Sequence, residues 1–312
     1  MSGPERSISD RHGDGSTTRR GEEPTAGAAK ARAPADGPWT PDEEPALTAR
    51  SVVASTLLGA HPPRLPTGLL VRSCALFAIS DGTARVAISR MVATGELEPD
   101  EGGYALAGPL RARQARQDLS RGATTRPWRA EDDGWRMAIV VAEGRTTTDR
   151  SALRQATRTL RLAELREGVW LRPDNLPPRT QPEAEAVVAS QATTLRAHPE
   201  GDPAALAASL WDLTGWAARG RRLLAALEAT RPALDRSERS AVPGAFVLSA
   251  AVLRHLQSDP LLPAALLADD WPGTALRSGH RDWNAAFLAL WVDGYRRPQG
   301  DGRAARSRGN VS

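Results

Sequence analysis

Apolar positions first recur at helical spacing near residue 46, after a polar stretch with almost none. "LTARSVVASTLLG" (47–59) reads as an amphipathic helix stopped by Gly59 and the Pro-rich "HPPRLP". "TGLLVRSCALFAI" predicts a second helix, with Thr67 at its N-cap and Leu69, Leu70, Leu76 and Phe77 apolar. Ser80 caps a third, whose inner stripe is Ala84, Ala87, Ile88, Met91 and Val92. "ELEPDEGGYALAG" then gives two short extended arms around a Gly-Gly turn. Helix, helix, short turn, helix, hairpin is the order of a winged helix-turn-helix.

The period changes further on. "WRMAIVVAEG" predicts a buried strand, "DRSALRQATRTLRLAELRE" an amphipathic helix, "GVWLRP" a strand ended by Pro173, and "SQATTLRAH" a further strand. That order suggests a small ferredoxin-like α+β sandwich. From residue 203 the pattern is helical: "DPAALAASLWDLTGWAARGRRLLAALEA" with a break expected near Gly215, then "PGAFVLSAAVLRHLQS" and "ALRSGHRDWNAAFLALW". The fold class expected is therefore multidomain α+β. A winged helix-turn-helix spans 46–122, a ferredoxin-like domain 123–200 and a helical domain 201–295. Residues 1–45 and 296–312, polar and rich in Gly, Pro and charge, are expected to be disordered tails.

The third helix has an unusual outer face. Gly82, Arg85, Val86, Ser89, Arg90 and Ala93 lie opposite the apolar stripe, and no acid stands among them. A surface that enters the major groove needs donors and small side chains, without carboxylates that would meet phosphates. Arginine can bind guanine through two hydrogen bonds, serine can donate or accept, and valine can pack on a thymine methyl. Arg85, Val86, Ser89 and Arg90 fit those roles, and Thr67 and Thr83, near helix N-termini, fit phosphate contacts. The hairpin tip carries Asp100 and Glu101, which would repel DNA if they faced it.

Composition changes this picture little. The formal charge is +4, and the basic residues are arginines except for Lys30, a bias that a GC-rich genome also produces. Cys74 is the single cysteine, which excludes an intramolecular disulfide and a cysteine-rich zinc site. The histidines at 12, 61, 198, 255 and 280 have no metal-ligand spacing, and no GxSxG, phosphate-binding glycine loop or carboxylate cluster is present. No metal or other cofactor and no enzymatic activity are expected. With no secretory h-region and no long apolar run, a soluble cytoplasmic protein that makes no membrane contact is expected. Polar groups beside large apolar ones make Arg172, Trp211, Asp212, Arg254 and His255 effector-binding candidates, although ordinary helix interfaces show the same mixture.

Four stretches in order, "FAISDGTARVAISRMVATGELE", "EGVWLRPDNL", "LAASLWDL" and "DPLLPAALLADDWPG", resemble the PaaX-type transcriptional regulators, named for the repressor of phenylacetate degradation. The resemblance runs from about residue 47 to 292. It implies a winged helix, a Cas2-like central domain and a helical C-terminal domain. It also implies a homodimeric repressor of a catabolic operon that binds double-stranded operator DNA and responds to a small-molecule effector of the aryl- or acyl-CoA thioester class. Arg85, Val86, Ser89 and Arg90 would lie on the recognition helix. Two rivals stand beside this reading. One is a metal-dependent nuclease using the Cas2-like domain, for which Glu143 lies near the end of the first strand. The other is an acyl-CoA-processing enzyme, for which no catalytic set is evident.

Overall fold

The computed structural model describes residues 37–178 and 181–296, with side chains to 291. The first layer is α1 (Ala49–Gly59), β1 (Arg64–Pro66), α2 (Thr67–Ala75), α3 (Asp81–Ala93), β2 (Leu97–Asp100) and β3 (Gly103–Leu106). It is a winged helix-turn-helix whose wing has one strand more than the hairpin predicted. β1 pairs antiparallel with β3, giving the order β1-β3-β2. "RLP" is too short, and too interrupted by proline, to register as a strand by alternation. A Cβ at Gly103 would lie 2.1 Å from the Leu65 carbonyl oxygen, so the second glycine of the turn is what lets β1 close on β3.

Between α2 and α3 the chain turns through Ala78, which adopts the left-handed conformation at φ 57°. Its N–H bonds the Ala75 carbonyl, and Ile79 N–H bonds that of Cys74. Thr67 is not an N-cap. Pro66 holds that position, Thr67 opens the helix, and its N–H is taken by the Gly102 carbonyl of the wing.

α4 (Gly108–Arg121) leads from the wing into the middle of the chain, and the single turn α5 (Ala130–Asp133) precedes the second sheet. There β4 (Trp135–Val140), α6 (Thr147–Thr159), β5 (Ala163–Arg166), β6 (Val169–Pro173), α7 (Pro182–Gln191) and β7 (Ala192–Ala197) form a β-α-β-β-α-β unit. The antiparallel order β5-β6-β4-β7 is the ferredoxin-like one. The predicted helix over 149–167 is split. It ends at Thr159, Arg161 turns the chain at φ 56°, and "AELR" becomes the edge strand β5.

The C-terminal part comprises α8 (Pro203–Leu210), α9 (Leu213–Asp235), α10 (Val242–Gln257) and α11 (Gly273–Arg296). The break expected near Gly215 falls at Trp211–Asp212, where Asp212 caps α9 by accepting the Gly215 N–H at 2.8 Å. One apolar core runs from the winged helix (Val52, Leu57, Leu70, Ile88, Met91) into α9–α11 (Leu223, Leu248, Val252, Trp283). The winged-helix layer is thus packed onto the C-terminal bundle, with Phe77 against Phe246 at 5.1 Å between ring centroids.

Part of the segment expected to be disordered, residues 37–45, is built into this core; residues 1–36 and 297–312 lie outside the described residues. Trp39 is buried, and Pro41–Glu43 form a short turn. The Glu44 carboxylate accepts hydrogen bonds from Arg219, Arg254 and Trp39 Nε1, and Glu43 accepts from Arg222. Burial raises the Glu44 carboxyl, but the bonds from Arg254 and Trp39 more than reverse this, and its pKa is lowered. A hydropathy reading misses this segment because ion pairs and one tryptophan hold it. Glu44→Ala is expected to cost about 1–3 kcal/mol, the range for groups left unpaired. Limited proteolysis should then cut within 37–45 faster than in the parent.

Candidate nucleic-acid interface

The third helix is laid out as its pattern predicted. Ser80 accepts the Thr83 N–H at 3.2 Å and so caps α3. Ala84, Ile88 and Met91 are buried, with Ala87 and Val92 half-buried against the same core. Thr83, Arg85, Val86, Ser89 and Arg90 are exposed, and Val86 keeps 52% of its surface open to solvent. Arg85 to Ser89 and Val86 to Arg90 are each one helical turn apart, so the four form one contiguous patch. Neither arginine has an ion-pair partner among the described residues. Asp81, in the first turn, is the only acid of the helix.

At about 1.5 Å per residue the thirteen residues of α3 span about 20 Å, enough to lie along a major groove. The Thr83 hydroxyl is 2.9 Å from Ser80 Oγ and exposed, at the end where the N–H groups of the first turn point outward. Thr67 stands apart from this group. It is half-buried, and its main-chain donor already serves the wing.

The acidic wing is partly neutralised from within. Asp100 lies 3.8 Å from Arg64 and Glu98 lies 3.9 Å from Arg111, while Glu101 at the tip is exposed. Both pairs are surface contacts worth little in stability, but they remove charge beside the third helix.

The five effector candidates do not converge. Arg172 is 3% exposed and all of its donors go to the protein itself. Its Nε–H bonds the Pro173 carbonyl, Nη1 those of Arg161 and Pro260, and Nη2 the Leu261 carbonyl and Asn175 Oδ1. It has no donor left for a ligand anion. Burial lowers its pKa to about 9, with Arg161 adding to the effect. Asp212 is the cap already described, and Trp211 packs against a cluster that includes Trp128, Trp135 and Leu171. Arg254 is engaged by Glu44. His255 is buried, stacks on Trp216 at 4.3 Å, and meets the Trp216 carbonyl at 3.0 Å through Nε2.

Glu143 is exposed just beyond β4, and no group of three or more His, Cys, Asp or Glu side chains that could hold a metal stands together among the described residues. No described helix is long and apolar enough to cross a membrane.

What the sequence reading missed lies on α4. In "RARQARQDLSR" the arginines at 111, 113, 116 and 121 dominate the sequence, yet with Leu110 just before it, Gln114, Gln117 and Ser120 form a buried face of the helix. Gln114 Nε2 bonds the Leu58 and Ala60 carbonyls at the end of α1. Because three of the four inward residues are polar, hydrophobic periodicity could not find this face. The i, i+4, i+7 spacing of Leu110, Gln114 and Gln117 was the available signal.

Comparison with known proteins covers most of the chain. The family described as PaaX-like protein matches residues 48–110, the PaaX protein central Cas2-like domain residues 128–207, and the PaaX-like protein C-terminal domain residues 211–289. Among solved structures, the chain is similar to an uncharacterized protein, Rv0674, from Mycobacterium tuberculosis. The two are 43% identical with a TM-score of 0.60, over 80% of this chain and 100% of that one. No curated protein matches.

Proposed function

The chain belongs to the PaaX-like family, a family of transcriptional regulators, and from that premise we propose that it is a DNA-binding, ligand-responsive repressor of a catabolic operon. It acts in the cytoplasm as a homodimer on double-stranded operator DNA. The observation that supports this reading is the exposed face of α3, which carries Arg85, Val86, Ser89 and Arg90 and no acid. Affinity comes largely from phosphate contacts and counterion release, to which Thr83 and the first turn of α3 contribute. Specificity comes from the four exposed side chains. A small-molecule effector lowers operator affinity by favouring a dimer geometry that fits the two half-sites poorly.

The test is a binding titration on the protein's own upstream region, with the site first located by footprinting. Arg85→Ala is expected to weaken operator binding by about 1–3 kcal/mol, roughly 5- to 150-fold, if its contact to guanine is bidentate. Non-specific binding to an unrelated duplex should fall far less, since only one charge is lost. Operator affinity unchanged in this variant would remove α3 from the reading role.

A further inference from the structure

A cavity of 280 Å³ lies where α1 and α4 meet α10 and α11. Part of its lining is apolar and aromatic, with Phe246, Leu253, Phe287 and Trp291. Arg113, Arg121, Arg277 and Arg281 line the remainder with His61 and His280, and no acid is among the lining residues. Two of the four guanidinium groups are spoken for: Arg121 pairs with Asp118 at 2.7 Å, and Arg277 pairs with Asp259. Arg113 and Arg281 have no ion-pair partner among the described residues.

Arg113 is half-buried, and burial, with smaller effects of Arg254, Arg50 and Arg116, disfavours its charge. Beside it Gln117, 4% exposed, leaves its Oε1 with no hydrogen-bond partner. A buried acceptor without a donor and a half-buried guanidinium without an ion-pair partner both cost stability in the empty state. An anionic group on a ligand relieves the cost at Arg113, and a ligand that also donates a hydrogen bond satisfies Gln117 Oε1 as well.

We propose that this cavity binds a small organic anion with an apolar body, the charge held at Arg113 and the rings or branches seated against Phe246 and Leu253. The volume suits a ligand of modest size rather than a long nucleotide-bearing one. Because its walls come from both the winged helix and the C-terminal bundle, occupancy sets how the two are held together. This last step rests on the repressor reading above, since it gives the site the role of the effector site. The cavity replaces the dispersed candidates Arg172, Trp211, Asp212, Arg254 and His255, none of which lines it.

The probe is 8-anilinonaphthalene-1-sulfonate, an aromatic sulfonate, titrated into the full-length chain beside its uncharged counterpart N-phenyl-1-naphthylamine. The sulfonate is expected to bind once per chain. Arg113→Gln should weaken it by roughly tenfold or more, the loss of a charge-assisted hydrogen bond. The same variant should change binding of the uncharged probe by less than about twofold, since apolar contact is untouched. Ala250→Trp, which fills the cavity, should weaken both; if that variant does not fold, Arg281→Gln at the exposed mouth should weaken the sulfonate alone. Equal sulfonate binding by the parent, Arg113→Gln and Ala250→Trp overturns the site. Operator affinity that is the same with and without saturating sulfonate overturns its coupling to DNA. Failure of the parent to bind any footprinted DNA overturns the repressor reading instead, and the two probe titrations stand apart from it.

Discussion

Replacing Arg172 by alanine is expected to lower folding stability by about 3–5 kcal/mol, more than a typical single substitution. The bonds to Pro173, Asn175 and Leu261 are 2.7–3.0 Å long, and those to Arg161 and Pro260 are weaker at 3.3–3.4 Å. They tie β6 to the segment that follows α10, a junction that Arg161 and Asn175 also bond. A bond from a charged donor contributes about 1.5–3 kcal/mol after exchange with water, and three good ones outweigh the cost of burying the charge. That cost is real, because burial brings the Arg172 pKa down to about 9. Arg172→Lys is the discriminating variant. An ammonium keeps the charge but cannot serve five acceptors in a plane, so it should recover less than half of the loss. Urea midpoints of the three proteins at one pH would measure this, and an alanine variant as stable as the parent would refute the tie.

The same side chain shows where sequence reading stops. "EGVWLRPDN" displays an arginine next to a tryptophan and an asparagine, a mixture that suits a ligand site. Nothing in the local sequence says that Pro260 and Leu261, some ninety positions away, will present their carbonyls to it. Where contacts are local, legibility was good. The α3 stripe, the Ser80 cap and the wing hairpin all follow from spacings of a few residues. The helix over 149–167 failed for a related reason: its apolar positions continue into "AELR", but the left-handed turn at Arg161 and pairing with β6 make that stretch a strand.

The candidate sites divide in the same way. The α3 face was readable because exposure is the complement of a periodic core. The cavity was not, because it is assembled from four helices and its distinguishing groups, Arg113, Gln117 and Arg281, are polar residues that periodicity assigns to solvent. Segment 37–45 failed for the converse reason. A low apolar content argued for disorder, but Glu43 and Glu44 meet three arginines that are far away in sequence.

Acidification should destabilise the fold well above the pH at which carboxylates titrate. His255 and His280 are both buried, and burial lowers each to about 4 from an ordinary 6.5. His255 faces Arg219, which lowers it further, against smaller opposing effects of the Trp216 carbonyl, Asp259 and Glu44. His280 faces Arg121 and meets Ser249 Oγ at 3.1 Å. Because the folded pKa values lie below the unfolded ones, the unfolded chain takes up protons first as pH falls. The stability that the neutral rings contribute is fully present above about pH 6.5 and is lost between there and about pH 4. Linkage gives a loss of about 2 kcal/mol per histidine between pH 7.5 and pH 5, or about 4 kcal/mol for the pair. Denaturant midpoints across that interval measure it, and His280→Gln, which keeps a partner for Ser249, should remove about half. A parent whose stability is flat from pH 7.5 to 5 would mean that these rings are not held neutral. His280 also lines the cavity, so a ligand packed on the neutral ring should bind less tightly as pH falls and the ring takes up a proton, while an anion paired with the imidazolium should bind more tightly. The direction in which affinity changes with pH reports which part of the ligand lies against α11.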